Sequence, residues 1–247
     1  MVDLHCHLLP GVDDGAQRLE DSVEMCLRAA QDGCTAIFAT PHQRTTTWDP
    51  RDRPRLEALR NEVQERVGDT PRILSGAELR IDAELLGELG RISESGLLPL
   101  ADSRYLLLEF HRAPAPSEID PFDLLDELVA ADWRPIFAHP EFIPWIAADL
   151  DLAQAMVERG ALFQLTAMSV TGDFGVRAQT VCTTLLDRHL AHFVASDAHS
   201  PQWRPPGLSR ARRVIAARWG EDTAHRLTVE NPTAVIEDRS FVVESRR

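Results

Sequence analysis

Seven short apolar runs alternate with longer segments of helical periodicity, and this alternation restricts the possible folds most strongly. The predicted strands are rich in β-branched or aromatic residues and lie at 2–7, 35–40, 72–79, 104–110, 134–139, 161–167 and 192–196. The predicted helices lie at about 19–32, 53–67, 120–131, 149–159, 174–190 and 208–219. Repeated strand–helix units predict an α/β fold, and seven strands rather than eight predict a distorted (β/α)7 TIM-like barrel. We expect a single domain over residues 1–247, with loops at 113–116 and 204–206 and a loose tail at 244–247.

Ionisable side chains lie at the carboxyl ends of six of these predicted strands or in the loops that follow. They are His5, His7, Asp13, Asp14, His42, Glu78, Glu109, His139, Asp197 and His199. The carboxyl rim is where barrel enzymes place their catalytic residues. His5 and His7 are one residue apart on a strand, so both side chains point to the same face and can hold a divalent ion from one side. The sequence therefore predicts a metal site, and imidazole with carboxylate suits Mn, Fe or Zn.

Composition excludes several classes of partner and mechanism. The net charge is −13 and the isoelectric point is about 5.1, which argues against nucleic acid or an anionic membrane as the main partner. No apolar run reaches the roughly 18 residues of a membrane span, so we expect no membrane insertion and a cytoplasmic location. All 26 basic residues are arginine, which excludes Schiff-base, P-loop and metal-bridging carbamylated lysines. The four cysteines form no Cys-x-x-Cys pair and are expected to be buried, reduced thiols.

The candidate ligands lie in short motifs that resemble, in order, those of the polymerase and histidinol phosphatase (PHP) superfamily. These motifs are His5-Cys6-His7, Val12-Asp13-Asp14-Gly15, Thr40-Pro41-His42, Gly76-Ala77-Glu78, Leu108-Glu109-Phe110, Ala138-His139-Pro140 and Ser196-Asp197-Ala198-His199. Three further stretches resemble the manganese-dependent bacterial protein-tyrosine phosphatases encoded with capsule and exopolysaccharide genes. They are Ser103-Arg104-Tyr105, Arg204-Pro205-Pro206-Gly207-Leu208 and Glu230-Asn231-Pro232. The resemblance covers nearly the whole chain and implies a distorted seven-stranded barrel with three divalent metal ions, most often Mn²⁺.

Carried over residue by residue, the resemblance implies three metal positions. The first takes His5, His7 and Asp197, with Glu78 bridging to a second that also takes Glu109 and His139, and the third takes Asp14, His42 and His199. Three divalent ions bring +6 and four of these ligands are carboxylates bringing −4, so a surplus of +2 favours a phosphate dianion. The metals would lower the pKa of a bridging water to roughly 7, and the resulting hydroxide would then attack phosphorus. The residues expected to act in catalysis are Asp14, His42, Glu78, Asp197, His199 and Arg204.

Two arginine positions bear on how phosphate is held. Arg204 matches an arginine that contacts phosphate in the family, and its bidentate fork suits this role. The tyrosine phosphatases often follow the fifth-strand histidine with Ile-Glu-Arg, whereas here Phe142 stands where that second arginine is expected. Arg44 or Arg112, each just beyond a candidate ligand, could substitute. The implied partner is a phosphotyrosine protein of polysaccharide biosynthesis, such as a bacterial tyrosine kinase, and the sequence predicts no particular oligomeric state.

Other activities share parts of this pattern. A small-molecule phosphatase of the histidinol phosphatase type would use similar ligands. A metal-dependent amidohydrolase also begins with His-x-His, but it places a histidine on the sixth strand, where this chain has Gln164 and Thr166. A non-catalytic metal-binding barrel is disfavoured because all nine expected ligands are present. Cys182 and Arg188 fit the Cys-x5-Arg pattern of cysteine-based phosphatases, but residues 181–190 are predicted as a helix rather than a phosphate-binding loop.

Overall fold

The computed structural model describes residues 1–113 and 119–240. Its strands are β1 Val2–Asp3, β2 Ala36–Ala39, β3 His42–Gln43, β4 Arg72–Ser75, β5 Glu78–Arg80, β6 Tyr105–Glu109, β7 Arg134–Ala138, β8 Leu162–Thr166 and β9 Phe193–Ala195. Its helices are α1 Leu19–Gln31, α2 Arg53–Val67, α3 Leu85–Leu89, α4 Ile92–Ser95, α5 Pro121–Ala130, α6 Pro144–Ala148, α7 Leu150–Glu158, α8 Ala167–Thr171, α9 Val176–Asp187, α10 Ser209–Trp219, α11 Glu221–His225 and α12 Asn231–Ile236. Among the described residues, no helix combines the length and the apolar character needed to cross a membrane. The predicted loop at 113–116, apart from Ala113, and the predicted tail at 244–247 lie outside the described residues.

The strands pair in parallel and form a ring of seven. One ladder has the order β1-β2-β4 and the other the order β3-β5-β6-β7-β8-β9. The segments β2 and β3 are the two parts of the second predicted strand position in the ring, and β4 and β5 are the two parts of the third. The ring closes where Cys6 pairs in parallel with Ala198. There the Asp197 N–H donates to the His5 carbonyl at 2.9 Å, and the His7 N–H donates to the Ala198 carbonyl at 2.8 Å. The predicted distorted, TIM-like α/β arrangement is confirmed, with its short parallel strands divided between two ladders rather than paired in one continuous barrel.

The second and third strands are each interrupted near the carboxyl rim, which the sequence analysis did not predict. Pro41, which lacks a backbone N–H, separates β2 from β3. Gly76 separates β4 from β5, and a Cβ at this position would lie 2.6 Å from Leu100 Cδ2. Beyond both interruptions β3 pairs with β5, with His42 in register with Glu78. The interruptions thus set two candidate ligands side by side.

The strand β6 shows how the ring divides two hydrophobic clusters. Leu106 and Leu108 pack in a cluster with helix residues such as Leu124 of α5. Tyr105 and Leu107 belong to a second cluster built largely from the other strands. Because side chains alternate along a strand, one face of β6 packs against the helices and the other fills the ring.

Aspartate caps mark where three of the larger helices begin. Asp52, Asp120 and Asp149 each accept a backbone N–H of the first turn, at 2.8 to 3.1 Å. Such a cap contributes about 1 kcal/mol to a helix. Proline lies in the first turn of α2 and of α5, where its missing N–H has no helical partner to lose. The predicted starts of these helices are therefore correct to within one residue.

A buried imidazole gives the fold a pH dependence that can be tested. His192 is 4% exposed, and its Nδ1 accepts the Phe163 N–H at 3.0 Å. Burial lowers the pKa of His192 to about 4. The unfolded chain protonates this ring near pH 6.5, so its contribution to stability is lost as the pH falls from about 6.5 towards 4. The unfolding free energy of the wild type should fall between pH 7 and pH 4. In His192→Gln we expect this fall to be smaller by up to about 3 kcal/mol.

The measurement is denaturant unfolding at several pH values for both proteins. His225→Gln, at a ring whose side chain is 45% exposed, is the matched control. Parallel stability curves for the wild type and His192→Gln would contradict this account of His192.

Candidate metal centre

The nine candidate ligands meet at the carboxyl rim, around the Glu78 side chain. Glu78 is 1% exposed. Its Oε2 lies 3.5 Å from His5 Nε2 and 3.4 Å from His7 Nε2. The same oxygen lies 2.9 Å from His42 Nδ1, and Glu78 Oε1 lies 2.9 Å from His139 Nε2. One buried carboxylate therefore faces four imidazoles.

Three groups of ligand atoms are each compact enough to hold an ion, since the atoms of a group lie within 4.8 Å of one another. The groups are His7, Asp14, His42 and His199; His5, His7 and Glu78; and His42, Glu78 and Glu109. The first group contains all three residues predicted for the third metal. Within it, Asp14 Oδ1 lies 3.5 Å from both His42 Nε2 and His199 Nε2.

The two remaining candidates lie beside the second and third groups. Asp197 Oδ1 is 3.4 Å from His5 Nε2. His139 Nε2, already in contact with Glu78, is 3.8 Å from Glu109 Oε1. The structure therefore places these two residues next to the partners that the resemblance implies.

His42 lies between two groups, although the sequence analysis placed it in one. Its Nε2 faces Asp14 and its Nδ1 faces Glu78. The Nδ1 contact is short, but the two atoms are not aligned for a hydrogen bond. The Trp48 ring stacks on His42, with centroids 5.9 Å apart and planes at 16°.

Three buried carboxylate oxygens at the centre accept no hydrogen bond from any described residue. They are Glu78 Oε2, Glu109 Oε2 and Asp197 Oδ1. An unpartnered buried carboxylate oxygen costs free energy that a bound cation would offset. A site of imidazole and carboxylate ligands suits Mn, Fe or Zn. The residues present thus fit divalent metal ions.

Hydrogen bonds to groups other than the candidate ligand atoms orient three of the imidazoles. His7 Nδ1 donates to Asp13 Oδ2 at 2.8 Å, and His5 Nδ1 donates to Gln164 Oε1 at 2.8 Å. His199 Nδ1 donates to a backbone carbonyl at 3.0 Å. With a proton on Nδ1, each Nε2 faces the centre and would present its lone pair to a bound cation. Sequence reasoning did not assign these roles to Asp13, in the loop after the first predicted strand, or to Gln164, within the sixth.

Backbone conformation at the rim is also unusual. His139 has φ of 36° and Asp197 has φ of 51°, a region that non-glycine residues seldom adopt and that is found at functional sites. At Gly15, a Cβ would lie 2.0 Å from the His7 carbonyl oxygen. Only glycine therefore lets the loop after the first strand pack directly on His7.

The ionisable groups of the centre shift one another's pKa values. Burial alone would raise the pKa of Glu78, but the neighbouring His5 and His42 hold it well below its usual value. Burial opposes protonation of His139, yet its hydrogen bond and charge contact with Glu78 raise the pKa of His139 to about 9. Burial and the nearby Glu78 carboxylate both raise the pKa of Glu109. The carboxylates thus draw protons onto neighbouring groups, and divalent cations would take the place of such protons.

A cavity of about 410 Å³ lies over the centre, and its described lining includes Arg80, Arg112 and Arg204. Arg204 contacts the Asp197 carboxylate directly. Arg80 Nη2 lies 2.7 Å from Glu109 Oε2. Sequence reasoning missed Arg80, even though it lies on β5 two residues beyond a candidate ligand.

A larger cavity of about 680 Å³ adjoins the first, with Trp48 and Arg80 in the walls of both. Its apolar and aromatic walls include Ile81, Phe110, Ile119 and Trp145. An apolar cavity beside a few converging polar groups is the usual form of a small-molecule or side-chain binding site. The aromatic walls favour a planar ring as the occupant.

Cys182 lies inside helix α9 and is 1% exposed. Burial raises the pKa of the Cys182 thiol well above its usual value. A buried thiol on a helix has neither the lowered pKa nor the loop of backbone N–H groups that a cysteine-based phosphatase needs. The prediction that the Cys-x5-Arg pattern is not a catalytic loop is consistent with this placement.

Comparison with known proteins agrees with the geometry. The family described as "Capsular polysaccharide synthesis, CpsB/CapC" matches residues 1–237. The tyrosine-protein phosphatase YwqE of Bacillus subtilis (strain 168) is 33% identical over 244 residues, which are 98% of this chain and 93% of that protein. A putative tyrosine-protein phosphatase, CapC of Staphylococcus aureus, is 35% identical over 212 residues, which are 83% of this chain and 79% of that protein. A crystal structure from work on YwqE and on CpsB from Streptococcus pneumoniae, described as unique metal-dependent tyrosine phosphatases, matches with a TM-score of 0.91 at 31% identity, covering 99% of this chain and 97% of that one.

Proposed function

The chain belongs to the CpsB/CapC family of capsular polysaccharide synthesis, and we propose that it is a metal-dependent protein-tyrosine phosphatase. The observation that carries the proposal is the buried Glu78 carboxylate, which faces four imidazoles and keeps an oxygen without a hydrogen bond from any described residue. Relatives named as tyrosine phosphatases match nearly the whole chain. This favours phosphotyrosine hydrolysis over a small-molecule phosphatase, an amidohydrolase or a non-catalytic barrel.

The proposed centre takes three divalent ions, with Mn²⁺ as the first choice and Fe or Zn as alternatives with similar ligand preference. The proposed ligands are His5, His7, Asp14, His42, Glu78, Glu109, His139, Asp197 and His199. When bound, such ions stabilise charge on a phosphoryl group and lower the pKa of water to about 7. Burial and the adjacent His7 lower the pKa of His199 to about 2, so this ring is neutral and its lone pair is available.

The protein's own residues would position the phosphate. Three divalent ions against the carboxylates of Asp14, Glu78, Glu109 and Asp197 leave a charge of +2, which a phosphate dianion neutralises. Arg204, on the wall of the smaller cavity, would orient the phosphoryl oxygens through its bidentate fork. The leaving group also matters, because a tyrosine phenol has a pKa near 10 and departs more readily than a serine alkoxide.

The proposed substrate is a tyrosine-phosphorylated protein of polysaccharide biosynthesis, such as a bacterial tyrosine kinase. The larger cavity supports this choice, because its aromatic walls adjoin the proposed phosphate position and suit a tyrosyl ring. The expected cytoplasmic location and the absence of a nucleic-acid partner stay predictions from the sequence.

The substrate proposal is tested with four phosphoesters at a fixed Mn²⁺ concentration. They are a phosphotyrosine peptide, the matched phosphoserine peptide, histidinol phosphate and a diester. We expect the highest kcat/KM on the phosphotyrosine peptide. A higher kcat/KM on histidinol phosphate would instead favour a small-molecule phosphatase.

Removing the Trp48 ring should weaken the selection of phosphotyrosine. We expect Trp48→Ala to lower kcat/KM on the phosphotyrosine peptide by about 10- to 100-fold, because a buried aromatic contact contributes about 1.5 to 3 kcal/mol. The rate on a small alkyl phosphate, which has no ring to place in the cavity, should change by less than about threefold. Steady-state kinetics on both substrates measures the difference.

Trp203→Ala is the matched control for Trp48→Ala. Trp203 lies 6.2 Å from the His199 ring between centroids, is 66% exposed, and is not among the described residues that line the larger cavity. An equal loss on both substrates in Trp48→Ala would mean that Trp48 supports the metal centre rather than the substrate ring.

A further inference from the structure

Two arginines that line the smaller cavity, Arg112 and Arg204, each lie over a phenylalanine ring. Phe142 ends the short helical turn Pro140–Phe142 that follows His139, and Phe174 follows α8. The two rings meet edge to face, with centroids 5.6 Å apart and planes at 66°. Arg112 Cζ lies 5.1 Å from the centroid of the Phe142 ring, and Arg204 Cζ lies 5.5 Å from that of Phe174. The two contacting rings thus each pack against a guanidinium group that lines the smaller cavity.

Arg112 differs from the other arginines near the centre in its charge balance. Arg204 contacts Asp197, and Arg80 contacts Glu109. Within residues 1–113 and 119–240, no carboxylate pairs with Arg112, which is exposed and lines the cavity. An uncompensated guanidinium at this place is attracted to an anion that enters the cavity.

Arg44 is not available for the same role. It is 8% exposed, and its guanidinium is held between the Asp82 and Glu88 carboxylates. Neither carboxylate is a proposed metal ligand, so a bound ion would not take over these pairs as it would that of Arg204 with Asp197. Breaking them to reach a substrate would leave charges without partners, which is costly. Of the two arginines named as substitutes, Arg112 lines the smaller cavity and has no carboxylate partner within residues 1–113 and 119–240, whereas Arg44 has two.

We propose that Arg112, held over the Phe142 ring, is a second phosphate-binding residue that grips the phosphoryl group together with Arg204. The proposal rests on the proposed phosphatase function and assigns the phosphate contact to a residue on the loop after β6. The ring contact limits the conformations of an otherwise exposed side chain, so less freedom is lost when phosphate binds. Two guanidiniums on neighbouring rings can each donate two N–H groups to different phosphoryl oxygens.

The first test is equilibrium binding of inorganic phosphate to the Mn²⁺-loaded protein, by calorimetry, alongside kcat/KM on a phosphotyrosine peptide. We expect Arg112→Ala to weaken phosphate binding by about 10- to 100-fold and to lower kcat/KM by a similar factor, with metal content unchanged. Arg112→Lys should recover only part of both losses, because an ammonium has no bidentate fork.

The matched control is Arg159→Ala, which removes another arginine that lies over a phenylalanine. Arg159 Cζ lies 4.2 Å from the Phe122 ring centroid, and neither residue is among the described residues that line the cavity. Its phosphate affinity and rate should match the wild type. This control separates loss of phosphate contact from loss of an arginine–phenylalanine contact in general.

A double-mutant cycle tests the role assigned to the ring. Phe142→Leu should weaken phosphate binding by about three- to tenfold in the wild type, and by much less in the Arg112→Ala background. Phe142→Arg should restore phosphate binding in the Arg112→Ala background, because it returns a guanidinium beside the position that the Arg112 guanidinium occupies. Equal effects of Phe142→Leu in both backgrounds would overturn the positioning role of the ring.

The outcomes separate this proposal from the phosphatase assignment. If Arg112→Ala binds phosphate within about threefold of the wild type, Arg112 is not a phosphate-binding residue, whatever the activity. If phosphate binding falls as expected but the wild type does not hydrolyse phosphotyrosine, Arg112 keeps its role and the proposed function is wrong.

Discussion

Glu78→Gln is expected to lower kcat by about 10³- to 10⁵-fold, the largest effect of any single substitution in this protein. The amide keeps the shape of the side chain but removes the charge that faces four imidazoles. Since Glu78 is the proposed bridge between two metal positions, the loss should include metal content as well as rate. Elemental analysis and steady-state kinetics on a phosphotyrosine peptide measure both.

Glu141→Gln is the matched control for this substitution. Glu141 is also buried, at 5% exposure, and its Oε1 accepts the Thr166 N–H at 2.9 Å. Burial raises the pKa of Glu141, so a neutral amide is a mild change there. A folded Glu78→Gln protein with full metal content and a rate within about tenfold of the wild type would contradict the central place given to Glu78.

Arg204→Ala is expected to lower kcat/KM by about 10²- to 10³-fold, which corresponds to about 3 to 4 kcal/mol of transition-state stabilisation. Arg204 lines the cavity over the centre and contacts Asp197. Arg204→Lys should recover part of the loss, because charge returns without the bidentate geometry. Metal content should stay unchanged, which distinguishes a phosphate contact from a structural one.

Arg210→Ala provides the control, since Arg210 makes an exposed ion pair with Asp173 at 2.7 Å, a contact that contributes little. An Arg204→Ala enzyme within about threefold of the wild type on both a phosphotyrosine peptide and a small alkyl phosphate would show that Arg204 does not hold the phosphate.

The fold was accessible from the sequence because its signals are local. Short apolar runs rich in β-branched or aromatic residues give the strands, and aspartate with proline gives the starts of α2 and α5. The interruptions at Pro41 and Gly76 were not predicted, because the close approach of Leu100 to Gly76 depends on tertiary packing. Local sequence patterns were therefore sufficient to predict the strands and helices. The interruptions of the second and third strands depend on long-range contacts and could not be predicted.

The candidate site divides in the same way. Strand ends and motif resemblance led to the nine candidate ligands, because a parallel ring brings its carboxyl ends to one rim. Gln164 orients His5 across 159 residues of chain, a contact that sequence spacing does not show. Arg112 could be named as a candidate but not chosen over Arg44, because the choice depends on which guanidinium already has carboxylate partners. The sequence therefore predicted the candidate ligands but not the side-chain contacts between residues that are distant in the chain.

Metal removal and return tests the central claim most directly. Purified protein is stripped with a chelator, its metal content is verified by elemental analysis, and Mn²⁺ is then added in steps while activity on a phosphotyrosine peptide is recorded. The proposed centre predicts no turnover in the stripped protein and recovery that saturates as the metal content approaches three ions per chain. Full activity in excess chelator, with metal removal verified, would contradict it.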